Sequence, residues 1–417
     1  MADPTSGSAD ILPASFANGI DVLESRQFKG LNDAAKQPCR IGVLTNHTGR
    51  DLQGRRTIDV LANAPGVKLE AIFAPEHSIE GTVDTTEIGN SKDKTSGVTV
   101  YSLYGPKDAD RHPPLDILRK LDTVVYDIQD AGASFYTYQT TLGYLLEAAK
   151  ETGTKVLVLD RPNPINGLQV QGPITDGGST APGGSCEGKG AERSFIDYSP
   201  KAVRHGMTMG ELAKMFNDQI AAKSPNKAGA RLEVIPMEGW KRKDWFDAIS
   251  SKWINPSPNL RSLNATALYS GVALLEFSNV SVGRGTATPF ELLGAPWIDA
   301  EKLSTYLNTR NVAGVRFEPA IFTPESSRFS GQKLNGIRIT VVDRDKLDAP
   351  ALGIEIASAL IKNFKLSFEP KEMIKLLGNR STYDALVAGK DPQEVKKAWE
   401  SDLEQWKTVR SKYLIYD

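Results

Sequence analysis

At 417 residues the chain is longer than one hydrophobic core usually organises, so two domains are expected. With 50 basic against 51 acidic residues the net charge is −1, which supplies no global field for nucleic acid or an anionic membrane. No run of about 18 apolar residues is present to span a bilayer.

The first residues, Met1-Ala-Asp-Pro-Thr-Ser-Gly-Ser8, carry neither the basic nor the apolar region of a secretory signal, which fits a cytosolic protein or a mature form given a new start. Cys39 and Cys186 are too few for a disulfide framework or a zinc site and read as isolated buried thiols. They say nothing of compartment.

Along the chain, Arg40–Leu44 reads as a buried strand, Thr57–Ala62 as a helix, Val67–Phe73 as a second strand and Val98–Leu103 as a third. Thr123–Ile128 follows as a strand, Tyr138–Lys150 as a helix ended by Gly153, and Lys155–Leu159 as the next strand. Alternation of strand and helix predicts a parallel sheet covered on both faces, a Rossmann-like doubly wound domain over 18–254. Residues 167–203, rich in Gly, Ser, Thr and Pro, suggest a lid or rim over the crevice. Met207–Asn217 resumes as a helix with Thr208 and Glu211 spaced as a capping box.

The closely spaced prolines of Trp253-Ile-Asn-Pro-Ser-Pro-Asn259 mark the start of a smaller α+β domain over 255–417. Its expected elements are helices at Ala265–Leu275 and Ala349–Phe364, a strand at Gly336–Asp343, and one long helix at Pro392–Tyr413. Trp399 and Trp406, at helical spacing on that last helix, suggest core packing.

Four predicted strands end in polar clusters: Asn46-His47, Glu76-His77, Asp127 with Asp130, and Asp160-Arg161 with Asn163. Parallel strands bring all four to one edge, where open sheets bind ligands. Pro75 stops strand pairing just before Glu76, whose carboxyl suits a general acid or, equally, a loop salt bridge. His47 and His77, two of only four histidines, suit substrate orientation, a metal or a loop hydrogen bond. Asp127 and Asp130 could hold a sugar hydroxyl or a divalent ion, and Asp130 could instead cap the next segment. Tyr136 and Tyr138 offer aromatic faces with hydroxyls for carbohydrate or for packing, and Phe135 reads as packing.

Gly283-Arg284-Gly285 would present one guanidinium to a carboxylate or phosphate, unless it is a turn with an exposed arginine. There is no G-x-G-x-x-G after the first strand, no P-loop, no G-x-S-x-G and no H-E-x-x-H, so no cofactor or metal is expected.

Several segments together resemble one family: Gly42–Asn46, Ala74-Pro-Glu-His77, Asp127–Gly132, Phe135–Tyr138, Asp160–Pro164, Arg204–Thr208, Asn255–Asn259, Ser281–Thr286 and Lys412–Tyr416. They are similar to the NamZ-type exo-β-N-acetylmuramidases, long catalogued as a domain of unknown function. The resemblance implies a secreted or envelope-associated glycosidase, extracellular or periplasmic, that removes terminal β-linked N-acetylmuramic acid from the non-reducing end of muropeptides. It implies that Glu76 is the catalytic acid. Ser78 stands where the family usually has glycine, and Ser134 where it often has arginine. The same residues also fit a muropeptide-binding protein without turnover, or a metal-dependent hydrolase using His77, Asp127 and Asp130. Within the glycosidase reading, Asp127 or Asp130 is the expected partner of Glu76, and Arg284, then Arg161, the expected cation for the lactyl carboxylate.

Overall fold

The structure is a computed structural model that describes residues 16–31, 38–81, 89–176, 195–250 and 252–417. Its larger sheet has seven strands in the order β3-β4-β2-β1-β5-β6-β9. These are β1 Cys39–Thr45, β2 Val67–Ala74, β3 Ser91–Lys92, β4 Thr99–Ser102, β5 Thr123–Asp127, β6 Lys155–Leu159 and β9 Arg231–Ile235. All pairings are parallel except that of the short edge strand β3. Counting only the parallel strands, the spatial order is 3-2-1-4-5-6, the doubly wound Rossmann arrangement, with its switch point between β1 and β5.

Side-chain alternation along the strands explains why both faces are covered. Val124 and Tyr126 of β5 and Val156 and Val158 of β6 join the core beneath helices Tyr138–Thr152 and Met209–Lys223. Val125, Leu157 and Leu159 point the other way, into a core with Ile20, Leu23, Ile58 and Leu61 from helices Gly19–Ser25 and Thr57–Ala62.

Local signals hold where the chemistry is local. Gly153 ends its helix at φ +75°, and Thr208 accepts from the Glu211 amide while Glu211 accepts from the Thr208 amide at 3.0 Å. The strand β9, Arg-Leu-Glu-Val-Ile, alternates charged and apolar residues as an edge strand does and was not among the expected elements. The expected helix Pro392–Tyr413 is two helices, Pro392–Lys397 and Glu400–Ser411. The break lets Trp399 turn inward, where its indole N–H donates to Thr382 Oγ1 at 2.9 Å; both Trp399 and Trp406 are buried.

The C-terminal part builds an antiparallel sheet of β10 Leu292–Ala295, β12 Leu334–Val341 and β11 Val315–Phe322, with β12 central. Helices Leu263–Val272 and Ala349–Asn363 pack on each other through Gly271 and Gly353. The core is continuous with that of the first domain, as the edge contact of Phe135 with Tyr269 at 5.2 Å shows. Of residues 167–203, the described parts pair β7 Gln171–Ile174 with β8 Ala202–Arg204; the lid expected for this stretch falls largely on 177–194, with Cys186, outside the described residues. Cys39 is buried and unbridged. No helix among the described residues is long and apolar enough to cross a membrane.

Candidate active site

At the end of β2 the Leu103 amide makes a last bond to the Ala74 carbonyl, and Pro75 has no N–H to continue the ladder. The chain then turns through two left-handed residues, His77 at φ +73° and Ser78 at φ +67°, with Ser78 N–H donating to the Pro75 carbonyl. For side chains with a Cβ this conformation costs about 1–2 kcal/mol per residue. Such strain collects where a functional side chain must be aimed. Here it turns Glu76 into a cavity, where its Oε2 accepts from Thr137 Oγ1 at 2.6 Å.

That cavity encloses about 340 Å³ between the two domains. One wall is Glu76, His77 and the segment Phe135–Tyr138; the other is Tyr269, Glu276, Phe277 and Arg284, with Ser257 from the connecting loop. Tyr136 packs edge-on against Tyr138 at 4.8 Å and Tyr269 at 6.1 Å. The Tyr138 hydroxyl donates to the Pro256 carbonyl at 3.1 Å and lies within reach of the Asn46 amide. Burial, and then the nearby Glu76, hold the Tyr138 phenol well above its ordinary pKa, so it remains a neutral donor. Burial also raises Tyr269, with Glu276 adding to the effect and Arg284 opposing it.

Arg284 forms a forked ion pair with Glu276, Nε to Oε1 at 2.6 Å and Nη2 to Oε2 at 3.1 Å. Its flanking glycines both sit at φ +80°, and a Cβ on Gly285 would come within 2.3 Å of the Ser326 carbonyl oxygen. The glycines therefore permit the tight turn that carries the guanidinium to the cavity.

The structure thus brings together Glu76, His77, Tyr136, Tyr138 and Arg284. It sends the other strand-end residues elsewhere. Asp127 is fully buried, paired with Arg161 at 2.5 and 2.9 Å and bonded to Thr57 at the start of a helix, while Arg161 also reaches the Arg50 carbonyl. Asp130 accepts from Gly132 N–H at 2.8 Å and pairs with buried His205 at 3.3 Å. Burial lowers the His205 pKa, and its Nδ1 accepts from Met207 N–H, so Nε2 carries the proton that faces Asp130.

Asp160 accepts from Thr208, Gly210 and Tyr416 at 2.6–2.8 Å, tying the C-terminal residues back to the first domain. Asn163 bridges Met207 and Ile165. Asn46 is buried and binds Thr48, and His47 Nε2 meets the Asn255 carbonyl at 2.7 Å in a neighbouring cleft. Asp127 and Asp130 therefore line an interior network and not the cavity. Among the described residues no three His, Cys, Asp or Glu side chains stand close enough to hold a metal ion.

The second cavity carboxylate, Glu276, was not singled out from the sequence, nor were Thr137 and Tyr269. The available signal was an acid closing the apolar run Val272–Leu275. Thr137 lay inside an aromatic segment whose neighbours drew attention first.

A cavity at the carboxyl edge of a doubly wound sheet, closed by a second domain and holding two carboxylates and an arginine among aromatics, has the make-up of a sugar-hydrolase site. The whole chain bears this out: residues 41–264 match the model for the N-terminal domain of exo-β-N-acetylmuramidase NamZ and 267–416 that for its C-terminal domain. The chain belongs to this glycosidase family. It is 36% identical to the peptidoglycan β-N-acetylmuramidase NamZ of Bacillus subtilis (strain 168), covering all of this chain and 95% of that one. Two crystal structures of DUF1343 family proteins from Bacteroides fragilis are also similar. One has TM-score 0.84 and 30% identity over 97% of this chain and 100% of that one; the other has 0.73 and 28% over 97% and 99%.

Proposed function

We propose that this exo-β-N-acetylmuramidase removes β-linked N-acetylmuramic acid from the non-reducing end of peptidoglycan fragments, with Glu76 as general acid. The observation that carries the reading is the position of Glu76: it is aimed into the cavity by a strained turn and held there by Thr137, across from the Glu276–Arg284 pair. Glu76 gives its proton to the glycosidic oxygen as the bond to the anomeric carbon breaks through an oxocarbenium-like state. Water then adds to that carbon.

Glu276, kept ionised by its fork with Arg284, is the group in the cavity suited to steady the positive charge or take the proton of the water. A separation of about 5 Å between the two carboxyls in the bound complex favours direct attack, and about 6.5–9.5 Å leaves room for water. Attack by the sugar's own acetamido oxygen is the other route, with Tyr138 as a neutral donor to orient it. The metal-dependent reading of His77, Asp127 and Asp130 lacks support, because both aspartates are committed to interior partners.

N-acetylmuramic acid brings a lactyl carboxylate, for which Arg284 is the cavity's cation. Incubation with a muramyl-β-N-acetylglucosamine disaccharide should release free N-acetylmuramic acid; binding without release would reduce the chain to a muropeptide-binding protein. Arg284→Ala should cost about tenfold more kcat/KM on the muramyl substrate than on its N-acetylglucosaminyl analogue. Equal losses would remove Arg284 from this role. Action on peptidoglycan would place the protein in the extracellular or periplasmic space, which cell fractionation tests.

A further inference from the structure

Beside the Glu76 cavity lies an open cleft of about 590 Å³, lined by His47, Arg50, Glu80, Gly81, Trp253 and Pro258 among others. We propose that this cleft seats the leaving sugar, a neutral pyranose such as N-acetylglucosamine, with Trp253 as its stacking face. The assignment rests on the reading of Glu76 as the acid, and it adds a second binding site to that reaction.

Two segments wall both spaces. On the turn 75–81, Glu76 and His77 face the closed cavity while Glu80 and Gly81 face the cleft. On the loop 253–258, Ser257 faces the cavity while Trp253, Asn255 and Pro258 face the cleft. The acid's own turn is therefore the partition between them. A general acid must stand at the bond between the sugar being released and the group that departs, so the departing group lies on the far side of that partition.

The walls of the cleft have the chemistry of a pyranose. Trp253 is oriented before any ligand arrives: its indole N–H donates to the Leu260 carbonyl at 3.0 Å, and Phe246 meets its ring edge-on at 5.1 Å. An indole fixed this way suits the apolar C–H face of a sugar. Arg50 is held by the His47 carbonyl at 3.1 Å and the Gly54 carbonyl at 2.8 Å, and Glu80 accepts from Ser78 Oγ at 2.9 Å. One offers donors and the other acceptors to ring hydroxyls, and their charges offset, which suits a neutral sugar better than a carboxylate.

His47 is a positioning residue that joins the two segments. Burial keeps its imidazole neutral, with Arg50 and His77 acting in the same direction, so Nε2 donates to the Asn255 carbonyl. On its other side Gly81, at φ +68°, lies so close that a Cβ there would come within 1.8 Å of Nδ1. The wall of the cleft is thus set by contacts that leave no room for adjustment.

The test compares two substrates on the full chain: the muramyl-β-N-acetylglucosamine disaccharide, whose leaving sugar fills the cleft, and methyl β-N-acetylmuraminide, whose methyl group cannot reach it. Trp253→Ala should lower kcat/KM about tenfold on the disaccharide, chiefly through KM, and leave the methyl glycoside within about twofold, with Trp253→Phe restoring most of the loss. Equal losses on both substrates, or none on the disaccharide, would overturn the assignment.

A binding readout covers a variant that fails to fold. In wild-type chain labelled with 5-fluorotryptophan, N-acetylglucosamine should shift the Trp253 fluorine resonance, identified by its absence in Trp253→Phe. No shift at saturating sugar overturns the assignment. If the wild type cleaved neither substrate, the glycosidase reading would fall, and this titration would still decide whether the cleft takes the sugar.

Discussion

Two groups of polar side chains stand at the carboxyl edge of the same sheet and face opposite ways. Glu76 follows a strand that stops at a proline, and two left-handed residues swing it into the cavity, where one hydroxyl holds it. Asp127, Asp130 and Asp160 follow strands nearer the centre, and each turns inward to several partners: Arg161 and Thr57, His205 and Gly132, Tyr416 and Thr208. A carboxylate with every lone pair engaged is a girder of the fold. One with a single neutral partner and an open side is free to exchange a proton with a substrate. Position at a strand end defines neither role; the number and charge of the partners does.

This contrast is sharpest in stability. Asp127→Asn leaves the buried Arg161 guanidinium without its counter-charge and should cost about 3–5 kcal/mol, read as a lower midpoint in urea unfolding. A near-neutral effect would mean that the pair does not brace the switch point.

Asp160 gives a pH signature of the inward set. Burial pushes its pKa up from 3.8 to about 6, against the lowering effect of its hydrogen bonds from Tyr416, Thr208 and Gly210. The folded state therefore holds this proton more tightly than the unfolded chain. Its contribution to stability is fully present below about pH 4 and is lost as pH rises through about 6, a change of roughly 3 kcal/mol. Wild type should lose that much relative to Asp160→Asn between pH 4 and 6.5; a constant difference between the two proteins would contradict the assignment.

The smallest effect belongs to the outward set. Ser78→Gly should relieve the left-handed strain and raise stability by about 1 kcal/mol or less, because the Ser78–Glu80 hydrogen bond is lost with it. A loss of stability would show that the hydrogen bond outweighs the strain.

Much of this arrangement was legible in the sequence, for local reasons. Apolar runs broken by glycine, proline and caps marked β1, β2, β5, β6 and the helix that starts at Tyr138, and the polar residues after them marked the active edge. What the sequence did not reveal depends on contacts between distant residues. Whether Asp127 faces a substrate or Arg161, 34 residues away, is decided by tertiary packing. Glu276 reaches the cavity only because the second domain folds back over the first, and no spacing near it announces that approach. The split of the last helix at Trp399 likewise follows from a partner, Thr382, that helical periodicity does not encode. Edge strand β9 was hidden because its charged positions face outward.

The division between outward and inward carboxylates is tested most directly by turnover of the muramyl disaccharide in Glu76→Gln and Asp127→Asn, each expressed per folded molecule. Glu76→Gln should unfold at the wild-type urea midpoint and lose about 10²–10⁴-fold in kcat, whereas folded Asp127→Asn should keep a rate within about tenfold of wild type. Full activity in Glu76→Gln, or a loss in folded Asp127→Asn as large as that expected for Glu76→Gln, would contradict the placement of the proton donor in the cavity.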